Sequence, residues 1–241
     1  MGDVVVLAGG DPPPVSCADA WHDALRLAPA HRVIAADGGL RLAARLGLRV
    51  DLLIGDLDSV TAAEVEQARG AGVRVERHPA AKDATDLALA LDAALASDPE
   101  RITVIGGGGG RADHELAIWL LLASPAYADV PLRWWSPRGV THVVHPARPC
   151  ALEGAAGELC SLLPVHGGAT GVRTSGLRYP LTDEPLPPGT SRGVSNELAA
   201  THATVTIDDG VLLVVLPVPP DLTSAAGSPA DRPAPPPVED P

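Results

Sequence analysis

The sequence predicts an α/β fold: a mainly parallel sheet with helices on both faces, followed by a smaller all-β sandwich. Three observations carry this. In the first two thirds, short apolar runs alternate with segments of helical spacing, the signature of a parallel sheet. After about Pro131 the pattern changes to short β-rich runs separated by Gly and Pro. Aspartates also recur just past the apolar runs of the first half, at Asp37, Asp56, Asp58, Asp83 and Asp86. That is where parallel sheets bind ligands, beyond the carboxyl ends of their strands.

The elements follow in order. Val4–Leu7, closed by Gly9-Gly10, reads as a buried strand, and Ala18–Leu27 has helical spacing. Arg32–Ala36 is a second strand, and Leu40–Leu46 a helix that Gly47 stops. Leu52–Ile54 is a third strand. Thr61–Ala71 is a helix with Thr61 and Glu64 as its capping box. Val73–Arg77 and Arg101–Ile105 read as strands, Ala84–Ala96 as a Leu- and Ala-rich helix, and Ala112–Ala123 as a strongly apolar one. Beyond Pro131 come Thr141–Val144, Leu159–Leu163, Ala203–Ile207 and Val211–Leu216, with Asp209-Gly210 a hairpin signal between the last two. From Pro217 the chain is rich in Pro, Ala and Ser without periodicity, the composition of a disordered tail. The expected division is 1–130, 131–217 and a tail at 218–241.

Bulk composition narrows the function classes. The chain has 241 residues and is 46% hydrophobic, enough for a core. Aromatics are 2% and Phe is absent, so Leu, Val, Ile and Ala must fill it. A net charge of -12 repels nucleic acid, and no basic patch offsets it. Cys17, Cys150 and Cys160 are far apart and form no CxxC, which fits small hydrophobes in a reducing cytoplasm. The N-terminus lacks the basic and apolar segments of a signal peptide. No apolar stretch reaches the length of a membrane span, and Val6 stands where a myristoylation site needs Ser or Thr.

The chemistry lies in four motifs. Asp56-Leu57-Asp58-Ser59 follows Leu52–Ile54. Residues two apart on a strand point the same way, so an extended exit presents both carboxylates to one cation. Buried carboxylates are costly unless paired or metal-bound, and hard cations choose oxygen. The same residues also serve as turns and caps, and Ser59 can cap the next helix. Lys82-Asp83-Ala84-Thr85-Asp86 opens a helix; Asp83 reads equally as its N-cap, while the helix dipole favours a carboxylate at Asp86. Gly106–Gly110 lies between a strand and a helix, the setting of a phosphate cradle. No Gly-Lys-Ser or Gly-Lys-Thr makes it a Walker loop, and Arg111 occupies the third glycine place of a dinucleotide fingerprint. Arg111 is placed to clamp a phosphate, and Asp113 to cap the helix. Ser191–Glu197 offers polar ligand contacts; the histidines show no metal spacing. Together these residues point to magnesium, polyphosphate and phosphoryl-type transfer, with no nucleophile–base pair. A different magnesium-dependent transferase or phosphatase, or a binding protein without catalysis, is the alternative.

In their order and spacing these segments resemble the thiamine pyrophosphokinase family from about Val4 to Leu216. The matches are Ala36–Gly39 with Arg41-Leu42, Gly55–Ser59, Lys82–Asp86, Gly106-Gly107 through Arg111–His114, and Gly189–Glu197. The resemblance implies transfer of the pyrophosphoryl group of ATP to thiamine. It implies a homodimer in which an ATP-binding catalytic domain, 1–130, and a thiamine-binding sandwich, 131–217, share each site across the interface. It places Asp56, Asp58 and Asp86 near Mg2+ and phosphates, and Asp37 and Asp83 in the catalytic cleft. Lys82, Gly107 and Arg111 would surround the nucleotide phosphates with Asp113 supporting them, and Tyr179, Ser195 and Asn196 would meet thiamine. Three positions depart from the family pattern: Leu57 for Phe, Ile118 for Asn, and Tyr179 for the Trp of some relatives.

Overall fold

The computed structural model describes residues 2–10 and 32–218. The helical reading of Ala18–Leu27, Cys17, His22, His31 and the tail after Val218 lie outside them. The parallel half comprises β1 (Val4–Ala8), β2 (Arg32–Ala36), β3 (Leu52–Gly55), β4 (Arg74–Arg77), β5 (Ile102–Gly106) and β6 (Leu132–Ser136). These pair in the order β4-β3-β2-β1-β5-β6, every neighbour parallel. Among the described residues four helices connect them: α1 (Gly39–Leu46), α2 (Ala62–Gly70), α3 (Asp86–Leu95) and α4 (Ala112–Leu122).

Strand alternation sends the apolar runs to both faces. Val4, Val6, Ile34, Leu52 and Ile54 pack with Leu87 and Leu91 of α3 and Leu122 of α4. Val5, Leu7, Val33 and Leu53 face the other way, onto Leu42 and Ala43 of α1. Complete burial on both faces is why these strands read as unbroken apolar runs. The Thr61–Glu64 capping box forms, and Gly47 ends α1 in the left-handed conformation. The N-cap of α3 is Thr85, whose hydroxyl accepts from Ala88 N, so Asp83 is not the cap. At the start of α1 a Cβ on Gly39 would lie 2.0 Å from Leu7 O, so only glycine lets the helix close onto β1.

The remaining strands are β7 (Gly139–Val144), β8 (Cys150–Glu153), β9 (Leu159–Ser175), β10 (Thr182–Leu186), β11 (Asn196–Glu197), β12 (His202–Thr206) and β13 (Asp209–Pro217). They do not start a separate sheet. β7 turns back antiparallel on β6, the order continues β7-β13-β9-β12-β8, and β10 and β11 also pair with β9, giving one sheet of thirteen strands among the described residues. Taken whole, the sheet is mixed and largely antiparallel, which corrects the mainly parallel expectation. The parallel pattern holds only where helices connect the strands; past β6 short links replace them, and short links permit only antiparallel neighbours.

The Asp209-Gly210 hairpin does not form. β12 and β13 run one after the other along β9, β12 against Arg173–Ser175 and β13 against Ser161–Thr170. Asp209-Gly210 sits where the register shifts, opposite the irregular stretch His166–Gly168 of β9. The core of this half gathers Leu162, Val172, Leu186, Leu198, Val205 and Val214. Although Phe is absent, Trp134 is fully buried on β6. It stacks edge-on against Trp119 at 5.0 Å, and its indole N–H donates to Gly106 O at 2.7 Å. Among the described residues no helix is long and apolar enough to cross a membrane.

Candidate active site

The parallel strands deliver their carboxylates to one edge. Asp37 follows β2 directly, buried, with φ 43; its backbone N–H donates to Ile54 O of β3. Asp56 follows β3, and Asp86 begins α3. One oxygen from each of Asp37, Asp56 and Asp86 lies within 4.8 Å of the others, close enough to hold one metal ion. Among the described residues this is the group with that geometry. Gly55 makes the approach possible. A Cβ there would stand 2.9 Å from Asp86 Cγ and 3.3 Å from Asp37 Cβ, at a φ of 145.

Asp58 lies outside this group. The extended exit expected for Gly55–Asp58 is broken at Leu57, which takes φ 62 and turns its side chain into the core, 5% exposed. Asp58 is left exposed, with its backbone N–H on Asp56 Oδ1 and its Oδ1 accepting from the Ser59 hydroxyl. Leu57 therefore packs, in keeping with its place as a departure from the family's Phe.

Positive charge enters with Lys82. Its Nζ lies 3.1 Å from Asp56 Oδ2 and 2.9 Å from Asp86 Oδ1. The hydrogen bond from Lys82 lowers the Asp56 pKa, and the bonds to Asp86 and then Asp56 raise that of Lys82. Two backbone donors complete the balance: Asp56 N to Asp86 Oδ1 at 3.2 Å and Ser59 N to Asp37 Oδ1 at 3.2 Å. Arg77, at the end of β4 and in register with Gly55, donates its Nε to Asp56 O. The motifs do not single out Ser59 or Arg77 for this role, although Arg77 ends the strand expected at Val73–Arg77 beside the same edge. Asp83 is exposed beside Lys82.

The glycine loop after β5 meets the loop after β1, with Gly107 N donating to Gly9 O at 2.8 Å. That N–H is spent on the fold and does not point at a ligand. Arg111 is the N-cap of α4 without a side-chain cap. Its guanidinium forks onto Asp113 at 3.1 and 2.6 Å, which holds the Asp113 carboxyl down to about 2. Asp113 therefore restrains Arg111 instead of capping the helix. Glu115, buried one turn into the helix, pairs with Arg138 of the β6–β7 turn at 2.7 Å.

In the antiparallel half, Asn196 is buried and its amide is fully engaged. It accepts from Tyr179 N at 3.0 Å and donates to Tyr179 O at 2.8 Å. Asn196 thus positions Tyr179, a residue 55% exposed with the Arg178 guanidinium 5.5 Å from its ring centroid. Ser195 is exposed, with φ 57. A separate cavity of about 1150 Å³ on the β6–β7 face is lined by Arg133, Trp135, His142 and His145 and by none of the clustered carboxylates.

Parallel strands that end in clustered carboxylates, with a lysine against them and an arginine-capped helix behind a glycine loop, define an α/β enzyme of the phosphate-transferring class. Two family models match the chain: "Thiamin pyrophosphokinase, catalytic domain" over residues 25–133 and "Thiamin pyrophosphokinase, vitamin B1 binding domain" over residues 141–212. The chain belongs to the thiamin pyrophosphokinase family. It is 29% identical over 161 residues to the thiamine pyrophosphokinase of Bacillus subtilis, covering 67% of this chain and 75% of that one. The crystal structure of the B. subtilis enzyme superposes with a TM-score of 0.76 at 25% identity, covering 90% of this chain and 99% of that one. That of the Geobacillus thermodenitrificans protein gives 0.74 at 25% identity, covering 91% and 99%.

The role of Gly55 yields a prediction. Gly55→Ala should drive Asp86 away from Asp56, costing about 2 kcal/mol as an overpacked site and lowering the melting temperature by roughly 4–8 °C. Turnover should fall with it. Thermal unfolding and steady-state rates check this; an alanine variant with wild-type stability and rate would show that the close approach is not needed.

Proposed function

We propose that this protein transfers the pyrophosphoryl group of ATP to the hydroxyl of thiamine, giving thiamine diphosphate and AMP. The observation that carries the reading is the convergence of Asp37, Asp56 and Asp86 with Lys82 within the span of the catalytic family model. Transfer of this kind needs neutralised charge and in-line positioning more than a covalent intermediate.

The carboxylates fit a hard divalent cation, because all three offered atoms are oxygens at the spacing of a shared ligand sphere. We assign Mg2+ to Asp37, Asp56 and Asp86, with Asp58 beside them; when bound, it would neutralise charge on the phosphates. Lys82 and Arg111 supply positive charge to the nucleotide phosphates, with Asp113 holding Arg111 and the Gly107 loop shaping the floor. The alcohol of thiamine must lose a proton, and Asp37 and Asp83 are the two carboxylates proposed to take it. Tyr179 offers an exposed ring for stacking, held by Asn196, with Ser195 beside it. We divide the chain into an ATP-binding domain at 1–130 and a thiamine-binding domain at 131–217, although one sheet runs through both. The free thiols Cys150 and Cys160 support a cytoplasmic site of action.

The direct test is AMP release from ATP and thiamine. Asp56→Asn and Asp86→Asn should each lower turnover by about 10²-fold or more, on the scale of losing one charge-stabilising contact, while both variants stay folded. Release of ADP in place of AMP, or wild-type turnover in either variant at limiting Mg2+, would defeat the assignment.

We further propose a homodimer in which the acidic edge of one protomer meets Tyr179 and Ser195 of its partner. Mixing two inactive variants, Asp86→Ala and Ser195→Ala with Tyr179→Ala, tests this. A shared two-fold site leaves each mixed dimer one intact site, so about a quarter of the activity should return. Mixed dimers with no activity would show that each site is built within one chain.

A further inference from the structure

Lys82 is the only lysine in the chain; every other cationic side chain except the histidines is arginine. This one ammonium sits 2.9 Å from Asp86 Oδ1 and 3.1 Å from Asp56 Oδ2, two of the three carboxylates grouped for a metal ion. Its side chain is 14% exposed, so most of it is withdrawn from solvent. An ammonium is a compact point charge on a flexible stem, whereas a guanidinium is a broad planar fork. Of all the cations in this chain, Lys82 is therefore the one whose size and charge most nearly stand in for a metal ion. The carboxylates it holds are two of the three grouped for a divalent cation, so the ammonium and the metal compete for the same negative charge. Lys82 also lies in the segment between β4 and α3, outside regular structure, with its backbone N–H turned back onto Ala80 O. Its four-carbon stem can swing clear while the strands stay in place.

We propose that Lys82 is a resident counter-cation that exchanges with the divalent metal: metal entry displaces the ammonium from Asp56 and Asp86, and the freed ammonium turns to the polyphosphate. The inference rests on the proposed metal site at Asp37, Asp56 and Asp86. In the metal-free protein Lys82 keeps the carboxylates together against their mutual repulsion. In the loaded protein the same charge is delivered to the substrate, so one residue serves both states. The exchange also ties the phosphate contact to metal occupancy, because the ammonium is released only when the cation takes its oxygens.

Two measurements test it without reading turnover. First, Mn2+ binding is followed by electron paramagnetic resonance in the wild type and in Lys82→Met, with no nucleotide present. Removing a competing ammonium should tighten Mn2+ binding roughly twofold to fivefold, the upper range of an exposed ion pair. Second, acetylation of the wild type by acetic anhydride is read at the Lys82 peptide by mass spectrometry. Since no other lysine competes, the rate reports this side chain alone, and it should rise when Mn2+ is added. Equal or weaker Mn2+ binding by the variant, or Lys82 acetylation that Mn2+ leaves unchanged or slows, overturns the exchange and leaves the metal site standing. A wild type that binds no Mn2+ overturns both. If Lys82→Met does not fold, the acetylation rate of the wild type decides.

Discussion

Three carboxylates whose oxygens lie within 4.8 Å of one another repel, and the carboxyl edge of the parallel strands is arranged around that repulsion. No helix or strand would bring Asp37, Asp56 and Asp86 together for its own sake. Gly55 removes the side chain that would keep Asp86 off β3. The amides of Asp56 and Ser59 donate into the cluster, and Lys82 bridges two of its members. The start of α3 adds the positive end of its dipole to Asp86. Each of these devices lowers the cost of holding negative charge in a half-buried place, and together they leave a site suited to a cation and the phosphates it accompanies.

The antiparallel extension is tied to this edge through β6. Trp134 is buried on that strand in the core of the parallel half, and its N–H on Gly106 O fixes the loop that carries Arg111 into α4. Arg138 on Glu115 makes a second tie from the β6–β7 turn to the same helix. The half of the chain matched by the vitamin-binding model thus continues the sheet of the catalytic half. Asn196 does comparable work further out: a buried amide holding Tyr179 on both sides presents a ring at the surface without leaving polar atoms unpaired.

Much of the parallel half was legible because its strands are buried on both faces and its helices carry their own end signals. Arg32–Ala36 has the expected bounds, and the Thr61–Glu64 box and Gly47 stop act as read. Past Pro131 the four β-rich runs mark β7, β9, β12 and β13, but the other strands carry no such signal. β6 is short and lies between prolines, and β8, β10 and β11 are partly exposed strands without strict alternation. β9 runs on through Gly167-Gly168, so Asp209-Gly210 has β9 beside it where a hairpin partner was expected. At the site, the motifs do not reveal the contacts. Spacing placed Asp58 with Asp56; the left-handed backbone at Leu57 separates them. Spacing likewise could not show that Lys82 reaches both Asp56 and Asp86, since that contact joins β3 to α3 across the sheet edge.

The central claim is that Asp37, Asp56 and Asp86 hold the cation that accompanies the nucleotide. Anomalous diffraction from crystals grown with Mn2+ and a non-hydrolysable ATP analogue tests it most directly. The account predicts a single strong peak among the three carboxylates, with the analogue's phosphates against it. A peak elsewhere in the protein, or phosphates bound away from this edge, would contradict it.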